Sequence, residues 1–180
     1  SDLGTSAPDA DESPAFDGGF EAPDAALPDL AGAYVASSFA CSAPCGGAAA
    51  ECDFTFQSDF GAFVLKFNGG ELRLGSCDAV TPCDPASDDV FYGYAFQREG
   101  DVWANDSSGA SFDEAAGQCR LFAKVTTLTV DAGVTVTQRT YEDLRAVADD
   151  AACDALFAAF PDRSELPCTS ESRVTAARMP

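Results

Sequence analysis

From Gly32 onward, apolar and polar residues alternate in short runs bounded by glycine and aspartate, the period that sends successive side chains to opposite faces of a strand. The runs are "GAYVASSFA", "CDFTFQS", "GAFVLKF", "ELRLGS", "VFYGYAFQ", "DVWAN", "QCRLFAKVTTLTV" and "VTVTQRT". They are rich in aromatic and β-branched residues, which fit a pleated surface. The breaks carry turn chemistry: a tight turn near Ser58 and Asp59, "NGG" at 68–70, "REG" at 98–100 and "DAG" at 131–133. The period then lengthens. "TYEDLRAVADDAACDALFAAF" predicts a helix near 141–160, with Thr140 as N-cap, Glu142 and Asp143 at the positive end of its dipole, and Pro161 after its last turn. Leu144, Val147, Ala151, Leu156 and Phe160 would face the sheet. Beyond Leu166 the chain reads as irregular, with one short edge strand at "SRVTAA".

These elements predict a mainly β domain over 31–180. Its expected form is an antiparallel up-and-down barrel or highly curled sheet of about eight strands with one C-terminal helix. The alternation places Phe54 and Phe56 on one face of their strand, Phe63, Leu65 and Phe67 on one face of the next, and Tyr92, Tyr94 and Phe96 on one face of a later one, followed by Trp103. If the barrel is filled, these aromatics are core. If it opens at one end, Phe54, Phe56, Tyr92, Tyr94, Phe96 and Trp103 line a ligand cup. Thr126, Thr135 and Thr137 read as the polar face of a hairpin, suited to solvent or to a second subunit.

Residues 1–30 break the pattern. They hold eight acids, four prolines and no basic residue, a composition that buries too little apolar surface to offset its ordering entropy. They form an acidic Pro/Ala-rich arm, within which Phe16, Phe20, Leu27 and Leu30 stand as candidate docking residues. The arm resembles the spacer that follows the lipid-bearing cysteine of bacterial surface lipoproteins. That resemblance implies an anchoring cysteine upstream, since residue 1 is Ser. The barrel region, roughly 30–160, is similar in layout to the lipocalins: Gly32 and Tyr34 stand where that family has Gly and Trp, followed by a meander and a late helix. The resemblance implies a carrier of a small apolar ligand.

Charge and cysteines narrow the chemistry. A formal charge of -20 repels phosphate backbones and anionic membranes, so nucleic acid is an unsuitable partner. No apolar run approaches the roughly 20 residues that span a bilayer. The eight cysteines Cys41, Cys45, Cys52, Cys77, Cys83, Cys119, Cys153 and Cys168 lack the paired spacing of a zinc site, and the chain has no His. An even, scattered set predicts four disulfides and an oxidising compartment, at the surface or in the periplasm of a bacterium. The expected pairs are Cys77 with Cys83 and Cys153 with Cys168, leaving Cys41, Cys45, Cys52 and Cys119 for the other two. Without His there is no Ser-His-Asp or Cys-His nucleophile system. Asp84, Asp88 and Asp89 offer oxygens for calcium, but without the glycine placement and terminal Glu of an EF-hand. No cofactor is expected. The sequence thus points to a non-catalytic exported domain that binds a protein partner or self-assembles, with the lipocalin-like carrier as the alternative.

Overall fold

The computed structural model describes residues 29–78, 83–87, 90–160 and 165–180. Phe16, Phe20, Leu27, Asp88, Asp89 and Pro161 lie outside them. Nine antiparallel strands form one sheet in the order β2-β1-β3-β4-β5-β6-β7-β8-β9, and β9 pairs back onto β1. The strands are β1 (Gly32–Ala43), β2 (Ala48–Ala50), β3 (Ala62–Asn68), β4 (Glu71–Ser76), β5 (Tyr94–Glu99), β6 (Val102–Asp113), β7 (Gln118–Val130), β8 (Val134–Ala146) and β9 (Cys168–Arg178). Eight of them close an up-and-down barrel, and β2 is an extra strand hairpinned onto β1.

Closure depends on the carboxyl-terminal segment. β9 is no edge strand: its alternation, with Val174 and Ala176 inward, inserts it between β8 and β1 over 11 residues. The interior is filled by Tyr34, Phe63, Leu65, Leu72, Leu74, Phe96, Trp103, Leu128, Val134, Val136, Val174 and Ala176, each at most 6% exposed. Leu30 belongs to this core as well: it is 2% exposed, and its carbonyl accepts a hydrogen bond from the Tyr34 hydroxyl at 3.1 Å. A bulge in β1 between Ala36 and Ser38 resets the alternation so that Phe39 also turns inward beside Val174.

The segment expected to be the second strand is a helix instead, α1 (Phe54–Gly61). The Asp53 carboxylate accepts the backbone N–H groups of Thr55 and Phe56, satisfying donors that a strand would have left to a neighbour. Helical spacing separates the two phenylalanines read as a pair. Phe56 is buried with Phe60 one turn on, whereas Phe54 is 83% exposed.

The late helix is shorter than the periodicity predicts. β8 keeps its register with β7 as far as Ala146, so Thr140 caps nothing and Leu144 is exposed. The helix α2 spans Asp150–Ala158 and is capped by Asp149, whose side chain accepts the Ala152 N–H at 2.8 Å. Thirteen cross-strand pairs with β7 outweigh an amphipathic stripe that only one short helix can use. β5 is likewise short, and Tyr92 packs outside the barrel with the cluster of Val64, Cys77 and Val90. Thr126 does not share a face with Thr135 and Thr137: the register pairs Thr127 with Thr137 and Thr129 with Thr135, so Thr126 points inward and is buried.

All eight cysteines are bonded. Cys77–Cys83 is formed as expected. Cys153 joins Cys119 rather than Cys168, because α2 lies on the outer face of β7. Cys168, at the start of β9, joins Cys45 in the β1–β2 turn, and Cys41 joins Cys52 just before α1. Spacing along the chain cannot reveal pairs that the barrel brings together from opposite ends of the sequence.

Candidate functional site

The two ends of the barrel differ. At the lower end, where β1 begins and β9 finishes, the strands close around the core. At the upper end β3, β4 and β5 stop early, while β1, β6, β7, β8 and β9 run on. The gap holds α1, which touches β1, β3 and β4 and is fastened to β1 by Cys41–Cys52. Phe56 and Phe60 descend from it into a ring stack with Phe39, Phe63 and Tyr94, at centroid distances of 4.8 to 6.4 Å. The helix is a plug.

Two polar pairs lie beneath the plug. Tyr94 donates its phenol proton to Asp59 Oδ2 on α1 at 2.9 Å, and Gln138 on β8 donates to Thr126 Oγ1 on β7 at 3.1 Å. Buried polar groups persist when bonded to one another, and the Tyr94–Asp59 bond ties α1 to β5. Burial, reinforced by the bond to Asp59 and by its charge, pushes the Tyr94 phenol up to about 12, with Gln138 pulling weakly the other way. The phenol is therefore a proton holder at neutral pH rather than a base or nucleophile. A phenol whose folded pKa is raised adds stability in full below its ordinary 10.0, and that stability is lost as pH climbs through about 12. In a spectroscopic titration of phenolate absorbance, Tyr94→Phe is expected to remove a late-ionising tyrosine.

The second feature is on the outside. The upper parts of β6, β7 and β8 form a sheet whose outer face is covered by α2 and bolted by Cys119–Cys153. A groove of about 230 Å³ runs along β6 there, with Leu121, Ala123, Phe157, Phe160 and Leu166 below and Ser107, Ser108, Gly109, Phe122 and Lys124 at its margin. Arg145 lies over the Phe160 ring at 4.7 Å and steadies it. Phe122 lies across Gly109, where an added β-carbon would come within 2.7 Å of the ring.

The groove borders an open edge. β5 reaches β6 only through Gln97–Ala104, Arg98–Trp103 and Glu99–Val102. Among the described residues, Ser107–Asp113 has β7 on one side and no strand on the other. The run "DVWAN" ends at Asn105, whereas β6 continues through "DSSGASFD" to Asp113. Its available signal was the partner strand: "EAAG" at 114–117 joins it to the strongly alternating β7.

The residues singled out by sequence are divided by the fold. Phe56, Tyr94, Phe96 and Trp103 meet in the filled interior and plug, whereas Phe54 and Tyr92 stand apart. Asp84 forms a turn, its side chain accepting the Ala86 N–H at 2.8 Å. Among the described residues no cluster of three Cys, Asp or Glu is arranged to hold a metal, and no helix is long and apolar enough to cross a membrane. No family model, curated protein or solved structure matches this chain.

Proposed function

We propose that this chain is a non-catalytic exported domain of a bacterial cell surface or periplasm that works by binding protein, as one component of an extracellular assembly. The observation that carries this reading is the contrast between a filled interior and an open periphery. Phe60, Phe63, Leu65, Leu72, Leu74 and Phe96 are 0% exposed, so the space that a lipocalin-like carrier would give to its ligand is taken by the chain's own side chains. The upper sheet, by contrast, offers backbone and an apolar groove at its rim.

Three other features agree. Four disulfides are compatible with an oxidising compartment, where small folds meet harsh conditions. The acidic arm suits a spacer from a lipid anchor. Tyr94, at the junction of plug and barrel, is tied to Asp59 and keeps its proton at neutral pH.

The test is direct. The oxidised full chain, titrated with a fluorescent long-chain fatty acid, is expected to show no saturable binding. One-to-one saturable binding would make the carrier the correct reading, and chemical cross-linking in the native source is expected to join the domain to protein.

A further inference from the structure

The geometry points to the open edge of β6, Ser107–Asp113, as an acceptor for an added strand, with residues 15–22 of a second copy of this chain as its occupant. The inference rests on the assembly reading and names the partner within it. Sheet edges with unpaired backbone groups template strand addition, and proteins that avoid it place Lys, Pro or a bulge on the edge. Here the edge is Ser107, Ser108, Gly109, Ala110, Ser111, Phe112 and Asp113, with neither Lys nor Pro, no register shift against β7, and small side chains over most of its length.

The two faces of the edge ask for different side chains. On the outer face, Ser108 and Ala110 border the apolar groove of Leu121, Phe157, Phe160 and Leu166. On the inner face, Ser107 pairs with Lys124, and Ser111 with Arg120, whose guanidinium already bonds Glu142 at 2.6 Å. Lys124 is exposed and has no carboxylate partner among the described residues. The fitting occupant is a proline-free stretch, apolar on one face and carrying an acid opposite Lys124 on the other.

"AFDGGFEA", residues 15–22, lies between Pro14 and Pro23 and has this pattern. Alternation puts Phe16, Gly18, Phe20 and Ala22 on one face, and Asp17, Gly19 and Glu21 on the other. Set antiparallel to β6 with Gly19 opposite Gly109, the segment brings Asp17 opposite Ser111 and Glu21 opposite Ser107. The Glu21 carboxylate then stands two strand spacings, roughly 10 Å, from the Lys124 backbone, within reach of that long side chain across the small Ser107. Phe20 falls beside Ser108 at the groove, and Phe16 beside Phe112. A one-residue slip would turn both phenylalanines to the charged face, so the register is specified.

A second copy, rather than the same chain, is the assigned occupant, and the cross-linking below separates the two. Leu30 is locked in the lower core and Arg178 bonds the Asp29 carboxylate at 3.4 Å, so the arm departs from the lower end while the edge stands at the upper. Lower end to upper end is a head-to-tail contact, which generates open chains unless its rotation closes a ring.

The experiment uses the full chain carrying Phe20→benzoylphenylalanine, made in light and isotopically heavy forms, mixed and irradiated. The expected result is light-to-heavy cross-links from position 20 to β6, β7 or α2 near the groove. Cross-links confined to single copies, or falling elsewhere, overturn the proposal. Sedimentation at increasing concentration is expected to show self-association that Phe20→Ala weakens about tenfold. Glu21→Lys and Lys124→Glu should each weaken it about threefold, and the two together should restore it. Association indifferent to all three also overturns the proposal. Neither failure touches the protein-binding reading, which is tested separately by the fatty-acid titration and by cross-linking in the native source.

Discussion

Removal of the Cys45–Cys168 bridge by the pair Cys45→Ser and Cys168→Ser is expected to destabilise the domain more than loss of any other disulfide. This bond closes 123 residues and joins the β1–β2 turn to the first residue of β9, the strand that completes the barrel. In the chain-entropy account, opening a loop of that length returns to the unfolded state freedom worth about 5 kcal/mol, comparable with the whole stability of many domains. Cys77–Cys83 closes a loop of only 6 residues and should be worth about 2 kcal/mol on the same reckoning. The location adds to the difference, since a freed β9 exposes edges on both β1 and β8. Denaturant unfolding of the two double variants under non-reducing conditions measures both losses. Equal losses would mean that β9 is held by its ladders and core residues alone.

Phe60→Ala is the second large effect. Phe60 is 0% exposed and packs on Phe56 at 4.8 Å, Tyr94 at 5.1 Å and Phe63 at 6.4 Å, so truncation leaves a cavity at the junction of plug and barrel. A loss of about 3–5 kcal/mol is expected. The variant also separates the two functional readings. An apolar cavity lined by rings stays dry and takes up small hydrocarbons. A small aromatic probe is therefore expected to bind Phe60→Ala and not the native chain, as read by a ligand-dependent rise in melting temperature. Binding to the native chain with equal strength would show that the plug leaves room for a ligand after all.

Much of the barrel is visible in particular residues. Alternation in "GAFVLKF", "ELRLGS" and "QCRLFAKVTTLTV" marks strands because one face of each is buried, and "NGG" and "DAG" supply the hairpin turns. The plug was hidden for a local reason. In "CDFTFQSDF" the phenylalanines at 54 and 56 suit a strand, while those at 56 and 60 suit a helix. The choice falls to the Asp53 cap and to the space in the barrel mouth that takes Phe56 and Phe60 together. The boundary of β8 was hidden by competition: Leu144 and Val147 have helical spacing, yet the pairing of Arg120 with Leu144 and Gln118 with Ala146 holds the chain extended. The candidate site was least legible, since the open edge of β6 exists only because β5 is short, and nothing within "DSSGASF" records the length of a neighbouring strand.

Sequence by itself determined the class of this protein: a sheet of alternating strands, oxidised cysteines, an acidic arm, and no imidazole for the common chemistries. Those properties are written in residue type and short-range period, which act before any long-range contact forms. The tertiary structure alone decided which cysteines meet, that α1 fills the mouth, that β9 closes the barrel, and that among the described residues no strand lies beside the upper part of β6 at the apolar groove. Each of these joins segments far apart in the chain, and such contacts are chosen by the packing and backbone hydrogen bonding of the whole barrel.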